Sequence, residues 1–352
     1  MAPAGFTNSV RIVNDTSQSF EERLAQMLPR VAAAADGGQI NILALSGGGA
    51  GAAFGAGALV GWTRAGNRPQ FQIVTGASAG ALIAPLAFLG SDWDAQLEEA
   101  FAGSRTGELL KSRFLGAVFG SSVYHGEPLA SLVDSYVTDK LIKAVAAEAA
   151  RGRLLLVATT NLDTEQINVW NMTSIATQGG ERARRLFRDV LIASASIPGA
   201  FPPVLIHVEG SGAAFDELHA DGGTTTSFFI APTVAEFLPG PIAALRGANL
   251  YVIINGQLGS AATTTPIGTL NILRRGITAG LNNGVRANLQ IASSFARRNE
   301  LSIAVSDIPS GYEFRGPLDL HPSAMRSLFQ YASRCAAARQ IWTTPHALIE
   351  ES

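Results

Sequence analysis

Charged side chains are scarce in this sequence, and neither sign is in clear excess. Asp, Glu, Lys and Arg make up 15% of the 352 residues, whereas soluble domains usually contain about 25%. The 26 basic and 28 acidic residues give a net charge of −2, so no basic surplus is available for phosphates and nucleic acid is not predicted as a partner. With 47% apolar residues, the chain is expected to fold around a core rather than remain disordered.

Cysteine is nearly absent, which limits how the chain can be cross-linked or metallated. The single residue, Cys335, excludes an intrachain disulfide framework and any zinc site made from several cysteines. Histidines and acidic residues do not cluster in the sequence at the spacing of metal ligands. We therefore predict neither a metal nor a cofactor.

Long apolar runs that would span a membrane are lacking as well. Two stretches carry no charge, one between Asp36 and Arg64 and one from Pro69 to Ser91. A spanning helix needs about 20 predominantly apolar residues, but the first stretch is rich in glycine and the second has Pro85 near its centre, so no transmembrane span is predicted. The start, MAPAGFTNSV, has no basic residue followed by an apolar run, so no signal peptide is expected in this chain. The compartment stays open: cytoplasmic, or envelope-associated if a leader has been removed.

Apolar runs bounded by glycine and polar residues indicate strands that alternate with helices. Strands are predicted at 40–45, 71–75, 154–160, 167–170, 250–255 and 301–305, with short strands flanking 216–223. Helices are predicted at 50–65, 79–89, 186–195, 269–298 and 324–342, and 94–150 is expected to be mostly helical. This alternation predicts an α/β fold whose parallel or mixed sheet is covered on both faces. We expect an amino-terminal arm and helix at 1–38 and a single domain at 39–352.

The pentapeptide Gly76-Ala77-Ser78-Ala79-Gly80 follows a predicted strand and precedes a predicted helix. A G-x-S-x-G sequence in this setting is typical of a nucleophile elbow, in which small neighbours allow a sharp turn that exposes the serine hydroxyl. The amino terminus of the helix would place partial positive charge near that hydroxyl. A plain small-residue turn between strand and helix is the alternative.

The second motif is the run Gly47-Gly48-Gly49, again between a predicted strand and a predicted helix. Consecutive glycines can direct several backbone N–H groups to one point, which suits a phosphate or the oxyanion of acyl transfer. The loop lacks the lysine of a P-loop, and position 52 is alanine where the G-x-G-x-x-G pattern requires glycine. Nucleotide binding is therefore the weaker alternative.

The third motif, Asp221-Gly222-Gly223, supplies a carboxylate among small residues. A Ser-His-acid triad would also need a histidine after the serine, and the candidates are His207, His219, His321 and His346, four of the five histidines in the chain. Strand alternation would place His219 on the same face as Asp221, so it is the histidine that we retain as a triad candidate.

Taken together, the three motifs resemble those of the patatin-like phospholipase family, bacterial type. The stretches LALSGGGAGAAFGAGALVGW, VTGASAGALIAPLAFLG, TTNLDT, LIASASIPGAFPPV and ELHADGG carry the resemblance over about 40–260. It implies a three-layer α/β/α sandwich with a central, mostly parallel sheet. It also implies a serine hydrolase without histidine, in which Ser78 is the nucleophile and Asp221 the proton acceptor. An oxyanion hole would be formed by Gly47, Gly48, Gly49 and Ala79, with Gly76, Gly80, Gly222 and Gly223 completing the motifs.

The resemblance further implies a lipid or acyl-ester substrate, with transient contact to a membrane surface. Apolar residues near 110–119, namely Leu110, Phe114, Val118 and Phe119 beside Lys111 and Arg113, are a candidate helical cap over the cleft, and Ile267–Leu281 is expected to face it. Two positions depart from the family: Gly51-Ala52 replaces its frequent Arg-Gly, and Ser46 stands where many members have Asp. Without that arginine the loop is not expected to steer a phosphate, so the resemblance implies a lipid ester rather than a phospholipid specifically. A histidine-dependent α/β-hydrolase and a catalytically silent lipid-binding module remain as alternatives.

Overall fold

The computed structural model of the chain describes residues 2–12, 26–35, 38–102, 126–210, 212–230, 242–259 and 264–344. Within these ranges one mixed sheet contains ten strands. The strands are β1 (Ala2–Pro3), β2 (Arg11–Ile12), β3 (Asn41–Leu45), β4 (Ile73–Ala77), β5 (Leu154–Asn161), β6 (Gln166–Asn171), β7 (Val204–Gly210), β8 (Ala213–Asp221), β9 (Asn249–Ile253) and β10 (Ser302–Ser306).

Helices connect these strands and cover the sheet. Residues 26–33 are helical. The other α-helices are α1 (Ala52–Arg64), α2 (Ala79–Leu89), α3 (Asp94–Ala102), α4 (Glu127–Tyr136), α5 (Asp139–Ala150), α6 (Met172–Gln178), α7 (Gly180–Ser194), α8 (Thr269–Arg298) and α9 (Pro322–Ala337).

The centre of the sheet is parallel, in the order β5-β4-β3-β9-β10. Beyond β5 the pairing becomes antiparallel, through β8, β7 and β1 on the main path and through β6 and β2 off it. Strands β1, β6 and β8 therefore run opposite to the other seven. The prediction of a mostly parallel α/β sheet is confirmed.

The two faces of the sheet carry separate apolar cores, as alternation along a strand requires. In β3, Leu43 and Leu45 join the core that contains residues of α1, α2 and α9, whereas Ile42 and Ala44 join the core formed with α8 and the helix at 26–33. A strand buried on both faces must be apolar throughout, which explains the uninterrupted run at 42–45. The three-layer α/β/α sandwich is confirmed.

Several elements differ from those predicted. The amino-terminal arm contributes β1 and β2 to the sheet, paired with β7 and β6. Asp221 ends one nine-residue strand, β8, rather than lying between two short ones. Helix α6 was not predicted, and α9 ends at Ala337 rather than at position 342.

Strand register brings three loops to one edge of the sheet. Leu45 pairs with Gly76 on one side and with Ile253 on the other, so the segments that follow β3, β4 and β9 are neighbours. Asp221 pairs with Thr159 of β5, whose preceding residue pairs with Ala77. The three predicted motifs, far apart in the sequence, therefore converge.

Candidate active site

Ser78 occupies a sharp turn between β4 and α2. Its backbone has φ +53° and ψ −129°, a combination that costs a non-glycine residue on the order of 1–3 kcal/mol. Close packing imposes the turn: a Cβ on Gly80 would overlap the Leu45 carbonyl oxygen, so a larger residue there would push the helix away from β3. The predicted strand, turn and helix of a nucleophile elbow are all present.

The turn is held in place by Ser194, a buried serine that was not predicted from the sequence. The backbone N–H of Ser78 donates to Ser194 Oγ at 3.1 Å, and Ser194 Oγ donates to the Ala158 carbonyl at 2.6 Å. Ser194 is fully buried and ends α7. Its hydroxyl links the turn at Ser78 to β5, the strand that pairs with Asp221. Its place in the stretch LIASASIPGAFPPV was the available signal.

The Ser78 and Asp221 side chains are in direct contact. Ser78 Oγ donates to Asp221 Oδ2 at 2.6 Å, and the N–H of Gly223 donates to the other carboxylate oxygen at 2.6 Å. The Asp221 backbone is also fixed, because its N–H donates to the Ser196 carbonyl at 3.0 Å and its carbonyl accepts from Thr160 Oγ1 at 2.8 Å. The carboxylate therefore has one oxygen held by backbone and one turned to the serine.

Burial sets the acidity of Asp221. Removal from water raises the pKa of this carboxyl to about 7, and the hydrogen bonds from Ser78 and Gly223 act in the opposite direction. No lysine or arginine forms an ion pair with it in the part of the chain that the structure describes. A carboxylate with a pKa near neutrality accepts a proton far better than an ordinary aspartate.

The histidines of the described ranges make their contacts away from Ser78. His219 is fully buried and hydrogen-bonds through Nδ1 to Thr159 Oγ1 at 3.0 Å and through Nε2 to Glu217 at 3.0 Å. His207 pairs with Asp216 at the surface, and His321 contacts Ser323 at the start of α9. Within the described ranges no histidine hydrogen-bonds to Ser78; His346 lies outside them.

In the glycine loop, hydrogen bonds to the carbonyls of Gly47 and Gly48 fix the orientation of two backbone N–H groups. Ser46 Oγ donates to the Gly47 carbonyl at 2.6 Å, and the N–H of Gly51 donates to the Gly48 carbonyl at 2.9 Å. The Gly47 C=O and the Gly48 N–H belong to one peptide group, and the Gly48 C=O and the Gly49 N–H belong to the next. In a trans peptide the C=O and the N–H point in opposite directions. The N–H groups of Gly48 and Gly49 therefore point away from the Ser46 hydroxyl and the Gly51 N–H, respectively. Neither N–H has an acceptor among the described residues. The N–H of Gly47, which we expected to join them, instead donates to the Ser227 carbonyl at 3.0 Å.

Asn255, which follows β9, anchors this loop and was not predicted from the sequence. It is fully buried. Its Nδ2 donates to the Ser46 carbonyl at 2.6 Å, its backbone N–H donates to Ser46 Oγ at 2.8 Å, and its Oδ1 accepts from the N–H of Gly55 at 3.2 Å. A Cβ on Gly48 (φ +152°) would overlap the Asn255 carbonyl oxygen, so glycine is required there.

The start of α2 offers a further donor. The N–H of Ala79, the first residue of the helix, has no acceptor among the described residues, as is usual for a first turn. The remaining motif glycines frame the site: Gly76 pairs with Leu45, Gly222 begins a short 3-10 turn after Asp221, and Gly223 binds the carboxylate.

Ser78 lines two of the cavities that the described residues form. A wide cleft of about 820 Å³ is lined by the glycine loop, Asp221, the segment 223–227 and part of α8. A narrow pocket of about 50 Å³ is lined by residues of α2, α3, α4 and α9. Of the segment expected to face the site, Arg275, Thr278, Gly280 and Leu281 line the cleft, whereas Ile267 is fully exposed. The predicted cap at 110–119 lies outside the described residues.

The family model for patatin-like phospholipase matches residues 43–234, more than half of the chain. The chain belongs to the patatin-like phospholipase family. The match spans the glycine loop, Ser78 and Asp221. No curated protein matches.

Two solved structures are similar to this patatin-like chain. VipD from Legionella pneumophila has 12% sequence identity and a TM-score of 0.41, with 86% of this chain and 67% of that chain covered. The type III effector protein ExoU has 13% identity and a TM-score of 0.28, with 86% and 54% covered. The chain thus spans about two thirds of the length of one and about half of the other.

The structure gives a physical reason for one departure from the patatin-like pattern. A Cβ on Gly51, at the family's arginine position, would overlap the Asn255 carbonyl oxygen and lie 3.4 Å from the Phe314 ring. No side chain fits there in this arrangement. Ser46, the other departure, holds the glycine loop through its hydroxyl.

No described helix is both long enough and apolar enough to cross a bilayer. Across the described ranges, no three His, Cys, Asp or Glu side chains lie close enough together to ligate a metal.

Proposed function

We propose that this chain is a lipid acyl hydrolase that cleaves carboxylic esters through Ser78 and Asp221, with an acyl-enzyme intermediate. The observation that carries the proposal is the 2.6 Å hydrogen bond from Ser78 Oγ to Asp221 Oδ2 at the tip of the turn. A serine at a nucleophile elbow, directly bonded to a base of raised pKa, is the arrangement that nucleophilic catalysis requires.

The reaction begins when Ser78 Oγ attacks the ester carbonyl carbon and its proton passes to Asp221. The negative charge that develops on the carbonyl oxygen is stabilised by the N–H groups of Gly48 and Gly49 and by that of Ala79. The carbon–oxygen bond to the alcohol then breaks, and the alcohol leaves with the proton from Asp221. Water attacks the acyl-enzyme, gives its proton to Asp221, and Ser78 recovers that proton as the acid departs.

Contact with a lipid surface is part of the proposal. Ile267 is fully exposed and Ile272 is 56% exposed, and both lie near the residues of 264–275 that line the cleft. Exposed apolar side chains beside a substrate opening favour transient insertion at a membrane interface.

The test is covalent labelling and ester hydrolysis, with wild type beside Ser78→Ala. We expect a fluorophosphonate probe to add to wild type at Ser78, and nitrophenyl esters to be hydrolysed only by wild type. A folded wild type that neither takes up the probe nor cleaves any ester would favour the silent lipid-binding module. Loss of activity in His219→Ala with Asp221→Asn still active would favour the histidine triad.

A further inference from the structure

Positive charge is concentrated in one segment of the chain. Between Glu236 and Glu300 the sequence contains six arginines and no acidic residue, although the whole chain has a net charge of −2. Five of these arginines lie on α8, whose 30 residues include no aspartate or glutamate. A segment of one sign within an acidic chain is typical of a surface that meets a polyanion.

One face of α8 is exposed along almost the whole helix. Residues at successive intervals of three or four lie on the same face of a helix. Every member of the following series, which we call the outer face, is exposed: Ile272, Arg275, Ala279, Asn283, Ala287, Ile291, Ser294 and Arg298. Arg297 is exposed beside it. The outer face is about 40 Å long at the rise of an α-helix.

The opposite side of α8 is already occupied. Its later residues join the core under the sheet, namely Leu289, Ala292, Phe295 and Ala296. Its earlier ones line the cleft, namely Thr278, Leu281, Asn282 and Val285. Only the outer face is therefore left to meet a partner.

The charges of the outer face are not balanced as they are on an ordinary solvated helix. On α7, Arg184 pairs with Glu181 and Arg188 pairs with Asp134, which is the mixture of signs that a water-facing helix usually shows. On α8, Arg275 forms no ion pair with any carboxylate of the described residues. The outer face thus presents cations that acidic side chains of this chain do not neutralise.

Two isoleucines decide which polyanion fits. Ile272 is 56% exposed and Ile291 is 41% exposed. An anionic bilayer offers negative headgroups to arginines and hydrocarbon to apolar side chains of the same helix face. Nucleic acid is instead held by arginines together with aromatic side chains that stack on bases, and no residue of the outer face is aromatic. The composition of the face therefore favours a lipid surface.

The outer face begins beside the mouth of the cleft. Arg275 lines the cleft, and so do Thr264, Thr265 and Pro266, all of them exposed. A bilayer lying on the outer face would therefore also lie against this mouth. An ester could then pass from the bilayer into the cleft without crossing bulk water.

We propose that the outer face of α8 docks on a bilayer containing anionic lipids. Arg275, Arg297 and Arg298 bind the headgroup charge, while Ile272 and Ile291 enter the hydrocarbon. The inference rests on the proposed function, since docking brings the mouth of the cleft to its substrate. It assigns the charge of the membrane and leaves the charge of the cleaved lipid open.

The test measures sedimentation of the Ser78→Ala protein with vesicles, which this variant should leave intact. We expect tighter binding to phosphatidylcholine vesicles that contain phosphatidylglycerol than to pure phosphatidylcholine, and weaker binding as salt is added. Adding Arg297→Gln and Arg298→Gln, which lie outside the cleft lining, should lower affinity for the anionic vesicles by about 30-fold, roughly fivefold per arginine. The matched control, Arg182→Gln with Arg185→Gln, removes two exposed arginines from α7 and should stay within about twofold.

A second pair of variants tests the apolar part. Ile291→Asn should weaken binding several-fold and leave its salt dependence unchanged, because no charge is removed. Leu205→Asn is the control, a 60% exposed apolar residue on β7, and should bind as the Ser78→Ala parent does.

Equal binding to neutral and anionic vesicles, or an equal loss in the α8 and α7 arginine variants, overturns the inference. Tighter binding to single-stranded RNA than to anionic vesicles also overturns it, in favour of nucleic acid. If the α8 arginine variant does not fold, salt-independent binding of the Ser78→Ala parent overturns it instead. Hydrolysis of soluble nitrophenyl esters without binding to anionic vesicles refutes this inference alone. Vesicle binding by a wild type that is neither labelled nor active refutes the proposed function alone.

Discussion

Two buried carboxyl groups on strand β8 have pKa values that are shifted in opposite directions. Glu217 and Asp221 are 7% and 3% exposed, and strand alternation places them on the same face, with His219 between them. Burial raises the pKa of Asp221 to about 7. Burial acts on Glu217 in the same direction, but hydrogen bonds from His219 and Arg11 and the charge of Arg11 outweigh it and hold the pKa of Glu217 below its ordinary value.

The difference lies in the partner that each carboxylate meets. Glu217 forms an ion pair of 2.8 Å with Arg11 on β2 and a hydrogen bond of 3.0 Å with His219. Asp221 has a hydroxyl and a backbone N–H instead. A buried acid next to a cation stays ionised and serves structure, whereas a buried acid without one is able to bind and release a proton near neutral pH.

The largest difference between Asp221 and Glu217 is expected in catalytic activity. Asp221→Asn removes the proposed proton acceptor, so we expect kcat to fall by about 10⁴-fold, the upper end for general-base catalysis. Glu217→Gln is the matched control, an amide isostere on the same strand. Its activity per folded molecule should stay within about threefold of wild type. Steady-state ester hydrolysis, with the folded fraction from circular dichroism, measures both.

An equal loss in Asp221→Asn and Glu217→Gln would show that the two carboxylates act as one unit. Activity retained in Asp221→Asn would remove the basis for the dyad altogether.

The second contrast concerns stability. Arg11→Met leaves Glu217 buried and without its cation, and breaking a buried pair in this way typically costs about 3–5 kcal/mol of unfolding free energy. Denaturant unfolding of Arg11→Met, Glu217→Gln and the double variant measures this cost. The double variant should recover part of the loss, because it leaves no unpaired charge. Strictly additive losses would mean that the 2.8 Å contact contributes nothing specific to stability.

How much of this site was predictable depends on the distance over which its contacts act. The turn at Ser78 is a local pattern of small residues between strand and helix, and the sequence predicted it directly. The pairing of Ser78 with Asp221 spans 143 positions and came only from the family resemblance, because no local pattern encodes strand register. The same holds for the fold, where the alternation of elements was visible but the antiparallel half of the sheet was not.

The residues that were missed are polar and buried, and each bonds to backbone far away in the chain. Ser194 holds the Ser78 N–H across 116 positions, and Asn255 holds Ser46 across 209. A serine in a small-residue run and an asparagine after a strand have ordinary sequence contexts. Their roles depend on which backbone C=O and N–H groups lie within hydrogen-bond distance of them in the folded chain. Arg11, assigned to a polar arm, is likewise buried only because β2 pairs with β6.

A third difference between Asp221 and Glu217 lies in how each makes the free energy of unfolding depend on pH. Because the folded pKa of Asp221 is raised, the folded state binds this proton more tightly than the unfolded chain. The protonated form is therefore the stabilising one, and wild type loses this contribution as pH rises through about 7. Between pH 5 and pH 8 the loss attributable to Asp221 is about 3 kcal/mol. Glu217 acts in the opposite sense: its pKa is lowered, so its contribution is present above the unfolded value and is lost in acid.

Asp221→Asn isolates the first of these effects, since an amide carries no titrating proton. Chemical denaturation across this pH range should show the variant losing less stability than wild type, by about 3 kcal/mol. A parallel dependence in the two proteins would mean that Asp221 titrates near its ordinary value, and the contrast with Glu217 would disappear.

The smallest effect is the pH dependence of turnover. In the proposed mechanism only ionised Asp221 accepts the Ser78 proton, so kcat/KM should rise about tenfold per pH unit below the pKa of this carboxyl and level off above it. With that pKa raised by burial to about 7, the inflection should fall near neutrality. The control is Glu217→Gln, whose profile should keep the same inflection because Glu217 is not the titrating group.

An inflection near pH 4 in wild type would mean that water reaches Asp221 during catalysis and cancels the effect of its burial. A shift of the inflection in Glu217→Gln would instead show that the charge of Glu217 reaches Asp221 along the strand, and the two carboxylates would then have to be treated as one titrating system.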